Sequence, residues 1–223
     1  MADCPTDEPC ALLTWHLQHE VGLLFAIHQS LEGDHAGAGT LLRDLVRIDQ
    51  ALVRGAPNLL ASVVGLTDLS AALDKASLIQ HRLSAEPAGP ARDAALIEIV
   101  ATAEAVTVQP SDIQPALVND YLIQRAAIDT LTHDAGLLFD AAATARVLDA
   151  RFERRASRAA AGDLPGALGA GEVSQKDQFG WWFDNAGGKL VLDTLSWNPQ
   201  TVREGLEANF EAIDDRRARI LAH

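Results

Sequence analysis

The sequence predicts an all-α fold, a single-domain helical bundle of roughly six to eight mostly antiparallel helices. Apolar residues recur at spacings of three and four, which is the periodicity of one helix face, and no alternating strand pattern of useful length occurs. Glycine and proline separate the periodic segments into pieces of similar length. At 223 residues, with 48% hydrophobic but only 5% aromatic residues, the chain can fill a core with Ala, Leu, Val and Ile.

The first half of the chain contains four predicted helices. The first covers roughly residues 12–31, and the second has Thr40 as its N-cap and ends at Gly55. A third helix is predicted from about residue 68 to residue 85. Pro90 then starts a fourth helix, since proline is well tolerated at the first helical position.

The second half is also predicted to be helical. A helix of about 25 residues is expected within residues 111–139, with Pro115 in the first turn, where its missing N–H costs nothing. The next helix closes at Gly162. The last helix begins with Asn198 as N-cap and Pro199 at the first helical position.

These elements predict four parts along the chain. Residues 1–10 form a flexible N-terminus, and residues 11–161 form the main helical bundle. Residues 162–174 are rich in glycine and predict a linker or loop. Residues 175–223 are expected to form C-terminal helices that pack on the bundle.

Charge and hydropathy restrict the possible partners. A formal net charge of −13 argues against binding to nucleic acids or to an anionic membrane, because both need a basic surface. The apolar runs are far shorter than the roughly 20 residues that span a bilayer, and the first residues do not resemble a signal peptide. Cys4 and Cys10 do not have a zinc-ligand spacing. We therefore expect a soluble, cytoplasmic protein.

The first helix contains the most unusual polar residues. On a helical wheel Glu20 falls within the apolar arc, and His16 lies one turn before it. A buried carboxylate must be paired, neutral or bound to a metal, so Glu20 predicts either a His–Glu hydrogen bond at a hydrated seam or a metal, heme or proton-transfer site. In the second case His16 and Glu20 are metal ligands, with His19 or His28 as an auxiliary group. Candidate ligands on the other helices are few, and no Glu-x-x-His pair occurs.

The segment FGWWFDNAGG, residues 179–188, is the second candidate region. Trp181 and Trp182 point about 100° apart on a helix, so one can pack in the core while the other lines a pocket or partner surface. Together with Phe183 and Trp15 they are the predicted lining of a ligand site. The glycines at 187 and 188 permit the close approach of a backbone or a flat ligand.

The pair Gly187 and Gly188, together with a histidine in the first helix, is loosely similar to the arrangement in heme oxygenases. The similarity covers only a few residues, and the separation between the two elements is too long for that family.

Three functions remain open from the sequence. The first is a non-catalytic sensor or regulatory module, which needs no cofactor and binds a small molecule or protein between helix 1 and the aromatic segment. The second is a metal- or heme-dependent helical enzyme that uses the His16–Glu20 region. The third is a structural protein that forms homo-oligomers through an exposed tryptophan. No Walker loop, dinucleotide-binding fingerprint or nucleophile elbow is present.

Overall fold

A computed structural model describes residues 8–131, 139–169, 185, 188–189, 192 and 199–222. Within these ranges the chain forms eight α-helices and one short 3-10 helix, Pro110–Ile113, and no strand, which confirms the predicted all-α fold. None of the described helices is both long and apolar enough to cross a bilayer. The helices are α1 (Glu8–Leu31), α2 (His35–Arg54), α3 (Leu59–Ala85), α4 (Pro90–Glu104), α5 (Gln114–Leu131), α6 (Ala141–Ala160), α7 (Leu164–Ala167) and α8 (Pro199–Leu221).

The chain divides into two compact units. The first unit comprises Met1–Arg54, Ala61–Val108 and Ala208–His223, and the second comprises Gly55–Leu60 and Gln109–Glu207. The predicted division at residues 161 and 174 stays a prediction.

In the first unit α2 packs against both α1 and α4. The core is aliphatic, and α3 supplies several of its largest fully buried side chains. Hydrogen bonds attach the end of α8 to this core: Gln80 donates from Nε2 to the carbonyl of Ile220 at 2.9 Å, and Arg217 donates from Nε to the carbonyl of Ala103 at 3.0 Å. The buried side chains that fill the centre are Leu23, Leu42, Val46, Val53, Leu66, Leu69, Leu73, Leu83, Ile99, Ile213 and Ile220.

Two helices of this unit start earlier than the sequence predicts. The side chain of Asp34 accepts a hydrogen bond from the backbone N–H of Gly37 at 3.0 Å, so Asp34 caps α2 and Thr40 lies inside the helix. The third helix begins at Leu59 instead of near residue 68, because Ala61, Ser62 and Gly65 form a buried face made of small residues. Such a face lacks the leucine periodicity from which the start was predicted.

The second unit is built around α5 and α6, which pack against each other, and α6 also packs against α7. The ring of Tyr121 stacks on Phe152 with a centroid distance of 4.3 Å, and its hydroxyl donates to Asp149 Oδ1 at 2.9 Å. The expected 25-residue helix is described from Gln114 to Leu131 as α5, and Phe139 is not helical, while residues 132–138 lie outside the described residues. Part of the predicted linker is the short helix α7. The central apolar cluster contains Ile128, Ala145, Leu148 and Leu192.

The start of α6 is fixed by side-chain hydrogen bonds. Asp140 Oδ1 accepts from the backbone N–H of Ala143 at 2.9 Å, which makes Asp140 the N-cap. Asn185 is distant in sequence, yet its Oδ1 accepts from the backbone N–H of Asp140 at 2.7 Å. Its Nδ2 donates to Thr144 Oγ1 at 2.9 Å. The first turn of α6 therefore depends on both a local cap and a distant residue.

Replacing the cap tests this description. We expect Asp140→Ala to lower the free energy of unfolding by about 1 kcal/mol, because the N–H of Ala143 loses its partner. Urea denaturation followed by circular dichroism measures the change. Glu153→Ala, an exposed substitution on the same helix, is the control and should change stability little. Equal stabilities for the two variants would contradict the role of Asp140 as a cap.

Candidate functional site

Two glycines bring three helices of the first unit close together. A Cβ atom at Gly22 of α1 would lie 3.3 Å from the side chain of Leu45 on α2. A Cβ atom at Gly65 of α3 would lie 3.0 Å from a methyl group of Val53 and 3.3 Å from its backbone nitrogen. The missing side chains let α1 and α3 approach α2 closely. Each glycine is one turn away from an ionisable residue of the candidate site.

The candidate site is a group of two histidines and two aspartates on these three helices. His19 Nε2 lies 2.9 Å from Asp49 Oδ2. His16 Nδ1 lies 2.6 Å from Asp68 Oδ1, and the same oxygen is 3.9 Å from His19 Nδ1. The four side chains thus lie in the order His16, Asp68, His19, Asp49, which we call the His–Asp chain. Its middle contact, between Asp68 and His19, is an ion-pair distance and not a hydrogen bond.

Most of the His–Asp chain is buried. His19 is 1% exposed, and Asp49 and Asp68 are 0% exposed, whereas the side chain of His16 is 39% exposed. Only one end of the chain therefore reaches solvent. Among the described residues, three buried atoms of the chain have no hydrogen-bond partner, which adds a desolvation cost: His19 Nδ1, Asp49 Oδ1 and Asp68 Oδ2.

Burial and mutual interactions shift the proton affinities of the chain upwards. Burial raises the pKa of Asp49 to about 6, and the hydrogen bond with His19 opposes this only in part. Burial also raises the pKa of Asp68, although the hydrogen bond from His16 and the charge of His19 oppose it. For His19, burial alone would lower the pKa, but the hydrogen bond to Asp49 and the nearby carboxylates raise it. The folded state therefore holds protons here more tightly than the unfolded chain does.

The structure places the predicted site residues differently from the expectation. Glu20, expected to be the buried carboxylate beside His16, is only partly buried, and His16 is bonded to Asp68 instead. Trp15 lies beside His19, with a distance of 6.3 Å between the ring centroids. The residues Trp181, Trp182 and Phe183 lie outside the described residues, so their predicted role in a ligand site stays a prediction.

The sequence pattern does not indicate Asp49 or Asp68, and it gives His19 only an auxiliary role. It also predicts the start of a helix near residue 68, whereas that helix begins at Leu59. The available signal was Asp49, which lies between Leu45 and Val53 on the buried face of α2. A carboxylate one turn from two buried apolar residues requires a partner on a neighbouring helix.

The opposite side of α1 is exposed and apolar. The helical wheel predicts that the apolar arc faces the core, but most of its leucines are exposed, and the buried side of α1 carries His19, Leu23, Ala26 and Ser30. Three leucines at intervals of seven, Leu17, Leu24 and Leu31, are 57%, 65% and 57% exposed. We call this surface the outer face of α1. Its large apolar residues are Leu13, Leu17, Val21, Leu24, Phe25 and Leu31.

Two other features limit the chemistry that the described residues support. Over the described ranges, no group of three or more His, Cys, Asp or Glu side chains is placed to hold a metal ion. A cavity in the second unit has a volume of about 40 Å³ and is lined by Tyr121, Phe152, Arg151 and Arg155 among others. That volume admits a few water molecules, whereas ligand pockets measure roughly 300–1,000 Å³.

Comparisons with protein-family models, with curated proteins and with solved structures found no match to this chain. The His–Asp chain and the outer face of α1 are therefore the two features of the described residues from which a function can be inferred.

The upward pKa shifts predict how stability depends on pH. Between about pH 4 and pH 6 the folded state keeps a proton on Asp49 that the unfolded chain has lost, so this contribution to the free energy of unfolding falls as the pH rises. The raised pKa of His19 acts in the same direction at higher pH. In Asp49→Asn the aspartate contribution is absent. We expect the stability of the wild type relative to this variant to fall by up to about 3 kcal/mol between about pH 3.5 and pH 7.

Urea titrations at several pH values measure this difference. Asp44→Asn, an exposed change on the same helix, is the control for the loss of one negative charge. A difference between the wild type and Asp49→Asn that rises with pH, or stays constant, would contradict the described electrostatics.

Proposed function

We propose that this chain is a non-catalytic protein-binding module that holds an α-helix of a protein partner against the outer face of α1. The observation that supports this proposal is the exposure of six large apolar side chains, each more than half exposed, along one helix. A continuous apolar patch of this kind is typical of an interaction surface, because leaving it in water is unfavourable.

The spacing of the exposed residues favours a helical partner. Starting at Leu17, the steps to Val21, Leu24, His28 and Leu31 are four, three, four and three residues. All five are exposed. This is the heptad pattern with which one helix packs its side chains into the spaces of another. A partner helix aligned with α1 can contact the whole row.

The His–Asp chain, which lies on the buried side of α1, also supports this proposal. Because His19 bonds to Asp49 on α2 and His16 bonds to Asp68 on α3, rotation of α1 about its axis would break both contacts. Breaking a buried charged pair is costly, at about 3–5 kcal/mol. The leucines of the outer face of α1 therefore remain exposed to solvent, where a partner helix can contact them.

A labelled peptide tests the proposal. The probe is a synthetic 28-residue amphipathic helix with leucine at the a and d positions of four heptads and lysine at the flanking positions, which suits the acidic chain. We expect the wild type to bind it, and Leu24→Asp to bind at least tenfold more weakly, because a carboxylate would be buried at the centre of the contact. Fluorescence anisotropy measures the affinities.

Ile97→Asp is the matched control. Ile97 is 70% exposed on α4, so this variant adds the same charge to the first unit without changing the outer face of α1. Its affinity should stay within twofold of the wild type, and circular dichroism should show the same helicity for all three proteins. Peptide binding that Leu24→Asp leaves unchanged would refute the proposal, and so would the absence of binding at about 1 mM protein by a wild type that stays monomeric.

A further inference from the structure

We infer that the helix held by the outer face of α1 is α1 of a second copy of this chain, so that two protomers form a two-fold dimer through parallel α1 helices. This inference rests on the proposed function, since it identifies the partner of the same surface. Three independent properties of α1 support it: the identity of the heptad residues, the distribution of charge, and the exposed area.

The leucines at d and the valine at one of the two a positions are the residues of a two-stranded parallel pair. With Leu17, Leu24 and Leu31 at the d positions, Val21 and His28 occupy the a positions. A β-branched residue at a combined with leucine at d favours parallel two-stranded packing. In that arrangement each leucine meets the same leucine of the partner across the two-fold axis, as a self-complementary interface requires.

The charges on α1 permit two copies to meet. The whole chain has 31 acidic residues and 18 basic ones, and copies therefore repel each other over most of their surface. The 24 residues of α1 include only two carboxylates, Glu8 and Glu20, and no lysine or arginine. Glu20 is partly buried at a g position beside this row, and its charge also acts on His19 and Asp68.

The exposed area is sufficient for a dimer. Exposures of 54% to 65% for the six apolar residues correspond to about 700 Å² on each copy, which is the upper limit of what a second copy can cover there and is close to the roughly 800 Å² that each partner buries in a stable complex. The same residues on the second copy supply an equally apolar surface of the same length. A single contact between like surfaces thus covers the whole row on both copies.

Disulfide cross-linking tests both the partner and the direction of the two helices. In a Cys4→Ser, Cys10→Ser background, Leu17→Cys and Leu24→Cys are each introduced alone and oxidised with diamide at about 20 µM protein. We expect both variants to form covalent dimers, since each new thiol faces its own copy across the axis. Ile97→Cys is the matched control and should form no more covalent dimer than the background protein.

Sedimentation velocity gives the second measurement, without cross-links. The wild type and Ile97→Asp should sediment as dimers at about 20 µM, and Leu24→Asp should sediment as a monomer with unchanged helicity. These results together would support self-association through α1.

Two results would overturn the inference. If Leu17→Cys forms no covalent dimer with itself but does so when mixed with Leu31→Cys, the helices are antiparallel and the parallel arrangement is wrong. If the wild type is monomeric up to about 200 µM, the second copy is not the partner. In that case the proposed function stands if the leucine peptide still binds and Leu24→Asp weakens it, and both proposals fail if it does not bind.

Discussion

The buried hydrogen bond between His19 and Asp49 is the contact on which the arrangement of the first unit depends. It joins α1 to α2 at a point with no access to solvent, and Asp68 of α3 lies within 3.9 Å of the same imidazole. Apolar packing alone would turn the leucines of α1 towards the core, since that burial is favourable by about 1.5–3 kcal/mol for each side chain. The polar contacts select a different rotation of the helix.

This selection has an energetic cost. Buried ionisable pairs often stabilise a fold less than apolar residues of the same volume would, but they are sensitive to geometry and so favour a single arrangement. Here the small residues Gly22 and Gly65 provide the short distances between helices that such geometry requires. As a result, the apolar residues of the outer face of α1 remain outside the core. The internal polar chain and the external apolar surface are therefore two consequences of one helix orientation.

Much of the fold could be predicted from local sequence signals, because those signals act within one turn. Pro90 starts α4 at the first helical position, and Gly162, with φ at +77°, ends α6 as expected. The rotation of α1 could not be predicted in the same way. A helical wheel ranks faces by hydropathy, whereas the buried side of α1 is decided by partners on α2 and α3, distant in sequence by 30 and 52 residues. The start of α3 was missed for a related reason, since its first turns are buried through small residues such as Ser62 and Gly65.

The hydrogen bonds between Asn185 and the start of α6 have a consequence for the order of folding. They connect residues 45 positions apart, so closing that segment has an entropic cost that must be met before these contacts form. The cap provided by the Asp140 side chain needs only three residues of chain, and it can form as soon as the first turn does. The first turn of α6 can thus form early with the Asp140 cap alone, and the hydrogen bonds to Asn185 form later. A substitution at Asn185 is accordingly expected to accelerate unfolding far more than it slows folding.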